Sequence, residues 1–358
     1  LELLEHLPRT LERTRTHINA VLSLVRLPLT LILGTVGRTE GFLQHIDEAM
    51  RGADDIGDAE CLAGLESAKG LFSWDENLLK QAIARTETSG NALARAHAAN
   101  WYGLYLGTIG QYEKAVPHLG QAIEILGTEG ERYEQAYAMA VGGRCYSARA
   151  GKLEEALSYA AGVREIGKAM DNAMLRAWGA MEAEPYMYKG LWEQVVRVAE
   201  EGLPVAWEIG EWFVIFFSSS WLGIAYLKLG RLEDAKRVLG RALKESQARS
   251  LWQFIITYLQ ISVAQLHLSF AEHDKALGAA RKALELAESN HLSLEQGAAN
   301  RVLGQIHEAM GSRKEADAAF RHSMQVLEGI QSRPELAQTL LAYGRFKAAG
   351  DDPGGGET

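Results

Sequence analysis

Cysteine and proline are scarce in this sequence: its 358 residues include 2 Cys and 7 Pro. Two thiols cannot make a disulfide framework, so Cys61 and Cys145 read as small buried thiols of a reducing compartment. Long apolar runs are also missing. The run from Trp212 to Phe217 falls far short of the roughly 18 residues a membrane span needs, and no membrane helix is expected. Positive charge is in deficit, with a formal net charge of -9, which argues against a nucleic-acid partner held by its phosphates. No glycine loop of the form GxxxxGK(S/T) occurs, and no GxGxxG follows a strand. The pair His307-Glu308 opens like a zinc-protease helix motif, but Gly311 stands where the second ligand belongs. His267 and His307 fall in the slot that Tyr226 fills in another repeat, so they read as packing positions, and Cys145 has no partner motif. No metal, cofactor or catalytic set is therefore expected, and an enzyme stays only as a remote alternative. The opening Leu1-Glu2-Leu3-Leu4-Glu5 has neither Met nor a secretory pattern. It reads as the cut end of a longer, cytoplasmic protein.

What the sequence does have is a repeat. Gly70, Gly110, Gly151, Gly190, Gly230, Ala271 and Gly311 recur at a nearly constant interval. Five positions after each come Asp75, Ala115, Ala156, Val195, Ala235, Ala276 and Ala316. Twelve after each come Ala82, Ala122, Val163, Gly202, Ala242, Ala283 and Ser323. A side chain that must stay small once per repeat marks a place where another helix passes closely. Apolar residues recur at helical spacing on both sides of each glycine, so the unit is an antiparallel helix pair. The glycine supplies the positive φ that ends the first helix, and Glu113, Glu154, Glu193, Glu233 and Asp274 fall in the first turn of the second, where the dipole favours an acid. One such hairpin cannot bury its apolar stripe alone, so hairpins must stack.

The spacing inside the hairpin selects the kind of solenoid. Leu222-Gly223, Tyr226, Ala235, Leu239 and Ala242 reproduce the tetratricopeptide pattern; so do Leu303-Gly304, His307, Ala316 and Phe320, and Tyr102-Gly103, Leu106, Ala115, Leu119 and Ala122. The expected fold is an all-α, right-handed solenoid of about seven to eight tetratricopeptide-like pairs with a period of roughly 40 residues, against the family's usual ~34. HEAT or armadillo arrays are the alternative at that length. Residues 1–54 are expected to be a degenerate helical cap around Gly34 and Pro28, 55–333 the repeats, 334–350 a capping helix and 351–358 a disordered tail. Kinks are expected at Pro117 and Pro185.

A resemblance to a known arrangement rests on particular residues: Leu7-Pro8-Arg9-Thr10 with Glu12-Arg13, the long hairpins, and Ser332-Arg333-Pro334-Glu335-Leu336-Ala337 with Tyr343-Gly344-Arg345. Together they resemble the C-terminal tetratricopeptide region of large bacterial signalling proteins. In those proteins an AAA-type ATPase module precedes the repeats, often behind a cyclase or kinase domain, and maltose-regulator-type transcription activators carry a similar superhelix. The resemblance implies a regulatory region that binds a partner or effector. It implies no activity here, since the ATPase and cyclase motifs are absent from the sequence.

Stacked hairpins line one surface with their first helices. Counting back from each glycine, the inward candidates are Glu60, His97, Asn100, Arg149, Glu184, Tyr188, Ser220, Lys228, Gln265, Arg301, Gln305 and Glu308. This mixed polar lining suits a protein or peptide segment better than a nucleic acid; the alternative is that many are merely solvated. Phe213 and Phe217 lie one repeat before Phe254 and Tyr258, with Ala173, Ala177, Leu294 and Ala298 at equivalent flanking positions. Those four rings form either a recess for a small apolar effector or ordinary core. The reading favoured by the sequence is a non-catalytic regulatory module that binds a protein segment; a small-effector sensor is the alternative.

Overall fold

The computed structural model describes residues 10–25, 40–247 and 253–349. The helices are α1 Leu11–Val25, α2 Glu40–Asp55, α3 Ala59–Ser73, α4 Glu76–Ser89, α5 Ala92–Thr108 and α6 Tyr112–Thr128. Next is α7, which runs through Arg132–Ala138, a π turn at Met139–Gly143 and Arg144–Arg149, followed by α8 Leu153–Ala169. The broken helix α9 runs through Ala173–Trp178, a 3-10 turn at Gly179–Glu182 and Ala183–Tyr188. Then come α10 Trp192–Ile209, α11 Trp212–Lys228, α12 Leu232–Gln247, α13 Gln253–Ser269 and α14 His273–Ser289. The last are α15 Ser293–Ala309, α16 Arg313–Gly329 and α17 Arg333–Ala348. Among the described residues there is no strand. None of the helices is long and apolar enough to cross a membrane. The all-α hairpin solenoid read from the sequence is the fold.

Short connections set the rhythm. Left-handed φ values occur at Gly110, Gly130, Gly151, Asp171, Gly190, Gly210 and Gly230, and again at Ala271, His291, Gly311 and Gln331, once per helix within each run. The first expected junction is different. Gly70 lies inside α3, and the left-handed residue is Trp74, φ 58°. A Cβ at Gly70 would stand 2.7 Å from Leu79 Cγ, so this glycine serves close packing and not the turn. Asp75 accordingly caps α4, its carboxylate accepting from the amides of Asn77 and Leu78 at 2.9 and 3.4 Å. The left-handed residues Gly57 and Gly90 bracket this hairpin, which is near the ordinary tetratricopeptide length of about 34 residues.

Within the hairpins the pattern residues do what their sizes require. A Cβ at Gly223 would lie 2.5 Å from Leu239 Cγ, at Gly103 2.6 Å from Leu119 Cγ, and at Gly304 2.8 Å from Phe320 Cδ1. Ala115, Ala122, Ala235, Ala242, Ala276, Ala283 and Ala316 are all fully buried beside them. A larger side chain at such a place forces the helices apart, a cost of ~1–3 kcal/mol. Tyrosine hydroxyls add a recurrent tie to an acid 26 residues earlier: Tyr102 donates to Glu76 at 3.0 Å, Tyr343 to Asp317 at 2.7 Å, and Tyr226 to Glu200.

The expected kink at Pro185 matches the 3-10 turn just before it, since proline has no N–H for the preceding turn to use. Pro117 sits inside an unbroken α6, and so does Pro204, unremarked in the sequence, in α10. Cys61 and Cys145 are half-buried, not fully buried as expected, and neither forms a disulfide with a described residue. Gly34, Pro28 and the 351–358 tail lie outside the described residues.

The contacts divide the chain into two compact units: residues 1–108 with 114–143, and residues 109–113 with 144–358. The first has its core where Ile18, Val21 and Leu22 of α1 meet Phe42, Ile46, Ala49 and Ala53 of α2 and Leu62 and Leu65 of α3. The second closes on itself. Ser332 donates to the Arg149 carbonyl at 3.3 Å, Arg333 pairs with Glu113 at 3.1 Å, and Ile330 packs on Gly110. The start of α17 thus meets the end of α7 across 183 residues of sequence.

Candidate functional site in the second unit

Closure of the second unit encloses a set of ionisable side chains contributed by successive first helices. Glu184 of α9 is 2% exposed, taking Arg144 at 2.6 Å on one oxygen and Arg149 at 3.2 Å on the other. Arg301 of α15 pairs with Glu335 of α17, and Thr339 Oγ1 lies 3.5 Å from the same guanidinium nitrogen. Glu295 of α15 is buried as well and has no side-chain partner among the described residues. Burial raises its carboxyl above the usual carboxylate range, with Arg149 acting in the opposite sense and Glu335 and Glu184 adding to the rise. Burial also pushes the Tyr188 and Tyr258 phenols well up, reinforced by the carboxylates of Glu335 and Glu184. Both hydroxyls therefore remain protonated donors.

Two buried acceptor atoms of the second unit's first helices have no hydrogen-bond partner among the described residues: Glu335 Oε1, on a residue 1% exposed, and Gln265 Oε1 of α13. The half-buried Tyr188 hydroxyl makes no hydrogen bond with the described residues either. Such groups are costly to keep inside a fold, typically ~1–3 kcal/mol each. Lys228, at the end of α11, is solvent-accessible yet hemmed in. The surrounding protein, and then the charges of Arg301 and Arg345, lower its pKa below that of an ordinary lysine. No carboxylate among the described residues pairs with it. An uncompensated cation thus stands at the edge of the enclosed cluster.

The sequence candidates distribute unevenly over this geometry. Arg149, Glu184, Tyr188, Lys228 and Arg301 are brought together, while Gln265 on α13 and Gln305 and Glu308 on α15 are half-buried. Glu60, His97 and Asn100 belong to the first unit, where Glu60 accepts from Asn91 at 2.7 Å and His97 pairs with Glu134. Ser220 is a correction. It is fully buried, with its hydroxyl donating to the Phe216 carbonyl of its own helix at 2.7 Å, and so is not presented to a ligand. Arg144, Glu295 and Glu335 escaped the sequence analysis as lining residues. One signal for the first was present: Arg144 and Glu184 are opposite charges 40 residues apart, one repeat.

The aromatic cluster is contiguous but filled. Phe213 stacks on Trp178 at 5.3 Å between centroids and lies 4.7 Å from Phe217. Phe217 in turn touches Trp221 at 5.6 Å and Tyr258 at 5.9 Å. Phe217 and Tyr258 are 4% and 5% exposed, so neither ring lines an open recess. The side chain of Phe254 lies outside the described residues. A separate cleft of about 540 Å³ opens between α10, α11 and α12, lined by Leu203, Pro204, Trp207, Leu222, Tyr226 and Val238. At its edge the Arg241 guanidinium lies 3.8 Å from the Trp207 ring centre.

No protein-family model matches this sequence, and no curated protein matches it. Solved structures do share its fold. A Rap protein complexed with Competence and Sporulation Factor aligns over 95% of this chain and 99% of its own, with TM-score 0.62 and 13% identity. NprR in complex with its cognate peptide NprX aligns over 83% and 86%, with TM-score 0.53 and 12% identity. A signal transduction ATPase with numerous domains and a tetratricopeptide repeat sensor, from Pyrococcus horikoshii, aligns over 94% of this chain and 50% of that one, with TM-score 0.50 and 17% identity. At such identities the likeness is one of fold, and it supports a tetratricopeptide-like helical repeat. It does not single out cyclase- or kinase-linked proteins.

Proposed function

We propose that this chain is a non-catalytic, cytoplasmic regulatory module of a bacterial signalling protein, and that the interior of its second unit binds a peptide or protein segment. The observation that carries the reading is the unpartnered polar set: the acceptors Glu335 Oε1 and Gln265 Oε1, the Tyr188 donor and the Lys228 cation. An extended peptide offers backbone N–H and C=O groups in alternation, which can meet acceptors and donors arranged along successive helices. The solved structures of similar fold include one in complex with its cognate peptide and one complexed with Competence and Sporulation Factor, which supports the same reading. A catalytic role has less support. Burial pushes the Cys145 thiol up to about 12, far from the thiolate a nucleophile needs, and nucleic acid is disfavoured by the net charge of -9.

The test is selection of short peptides from a display library on the full chain, followed by binding measurements on Lys228→Glu. The variant changes an accessible residue and should fold as the parent does. Peptides that bind the parent and lose at least roughly tenfold in affinity on the variant, about 1.4 kcal/mol, are the expected result. Peptides bound equally by both would remove the site from this interior. A second reading, a small apolar effector, is favoured by the cleft beside Trp207. Trp207→Ala should then abolish stabilisation by an apolar compound while leaving peptide binding unchanged.

A further inference from the structure

The first unit holds a group of side chains that the proposed function does not use. His17 is on α1, and His45 and Glu48 share one face of α2 at i and i+3. One ligand atom from each, two imidazole nitrogens and a carboxylate oxygen, lies within 4.8 Å of the others. The two rings meet edge to face, 5.8 Å between centroids and 70° between planes. Both histidines are half-buried and Glu48 is exposed. None of the three makes a hydrogen bond or ion pair with another described residue. Immediately beneath them Ile18, Phe42, Ile46 and Ala49 are packed into the unit's core, so the backbones that carry the ligands are held in place.

We propose that His17, His45 and Glu48 bind a divalent late first-row transition ion, zinc above all, joining α1 to α2. Two imidazoles and one carboxylate are a donor set for zinc, nickel, cobalt or copper; calcium and magnesium require oxygen throughout. Ligand bonds of ~2.0–2.2 Å about a tetrahedral ion set neighbouring ligand atoms roughly 3.4 Å apart. The observed spacing reaches that by rotation of side chains, with the exposed Glu48 the freest to move. Three protein ligands leave the fourth position to water. The sequence did not show this site because its two halves stand on separate helices, with the whole α1–α2 connection between them, and match no spaced motif.

The experiment titrates zinc into the full chain, stripped of metal with a chelator, by calorimetry, and adds cobalt as a visible reporter of ligand geometry. The parent should bind one equivalent through these residues, show a ligand-field band with cobalt and melt at a higher temperature with zinc present. Loss of a residue that merely supports a ligand costs about 10–100-fold in affinity, so Glu48→Gln and His45→Ala should each lose at least that. His322→Ala, at an exposed histidine on α16, should bind as the parent does. Glu48→Gln alters an exposed position and leaves the core intact, so it reports on binding even where His45→Ala disturbs folding. Absence of a cobalt band in the parent, or zinc affinity unchanged in Glu48→Gln, overturns the proposal.

Discussion

Two clusters of opposite chemistry stand on the first helices of the second unit, the aromatic one on α11 and α13 and the ion pairs on α7, α9, α15 and α17. In the aromatic one, Phe213, Phe217, Trp221 and Tyr258, each ring has another ring against it, and the one polar atom left over is a donor, Trp221 Nε1. The polar one, from Arg149 and Glu184 to Arg301 and Glu335, leaves buried acceptor oxygens of Glu335 and Gln265 over. The difference follows from directionality. Apolar surface is satisfied by any close neighbour, whereas a carboxylate oxygen needs a donor at one place. Stability alone would favour replacing the buried ion pairs with packed hydrocarbon. Keeping them points to selection for something other than stability, and leaves the polar cluster as the place where a ligand has most to offer.

The largest effect should come from breaking the polar cluster on one side only. Arg301→Ala leaves Glu335 charged and unpaired, and should cost ~3–5 kcal/mol in urea unfolding, while Arg301→Met with Glu335→Leu should recover most or all of it. Equal losses in both variants would mean that the pair holds the fold in the ordinary way. Phe217→Ala should cost a comparable ~3–5 kcal/mol, the figure for a buried ring, with peptide binding per folded molecule unchanged. Should it lose binding and keep its stability, the aromatic cluster and not the polar one is the site. Ala276→Trp, at a fully buried contact outside both clusters, should cost ~1–3 kcal/mol by overpacking. A parent-like melting curve would show that the helices there are free to part.

The smallest effect is a pH dependence. Glu295 has a folded-state pKa raised above the ordinary 4.5, mainly by burial. Its contribution to stability is therefore fully present below the unfolded value and is lost as the pH rises through the folded one. Glu295→Gln should melt like the parent in acid and become the more stable of the two as the pH rises above 4.5 and through that raised value. Melting curves across that range decide it. A parent that outlasts the variant at neutral pH would mean that Glu295 has a partner strong enough to reverse the sign.

Much of the fold was legible because one demand is written into the sequence at every repeat. Ala235 and Leu239 must fit beside Gly223, and only small-then-large residues at that spacing do so. The first junction was misread because glycine serves two ends, a left-handed turn and a close approach, and Gly70 serves the second while Trp74 makes the turn. Ser220 was misplaced for a related reason. Every residue of α11 from Val214 to Tyr226 is buried, so counting along that helix cannot separate an inner face from a packed one. Arg144 could have been found by pairing opposite charges one repeat apart. Glu335 lies 34 residues from Arg301, off the local period, and its burial depends on the closure between α7 and α17, which no local pattern encodes.

That closure changes what kind of object the second unit is. An open row of hairpins behaves as a one-dimensional chain: each unit feels only its neighbours, and melting can begin at an end and travel inward. Here the start of α17 is tied to Arg149 and Glu113 by bonds spanning 183 and 220 residues. The exposed ion pair contributes little by itself, ~0–1 kcal/mol, but the packing of Ile330 on Gly110 removes the free end at which fraying would start. The hairpins between them are coupled in a loop and not in a line, and a loop opens cooperatively. A signal that loosened the clasp would act on every repeat between its two halves at once.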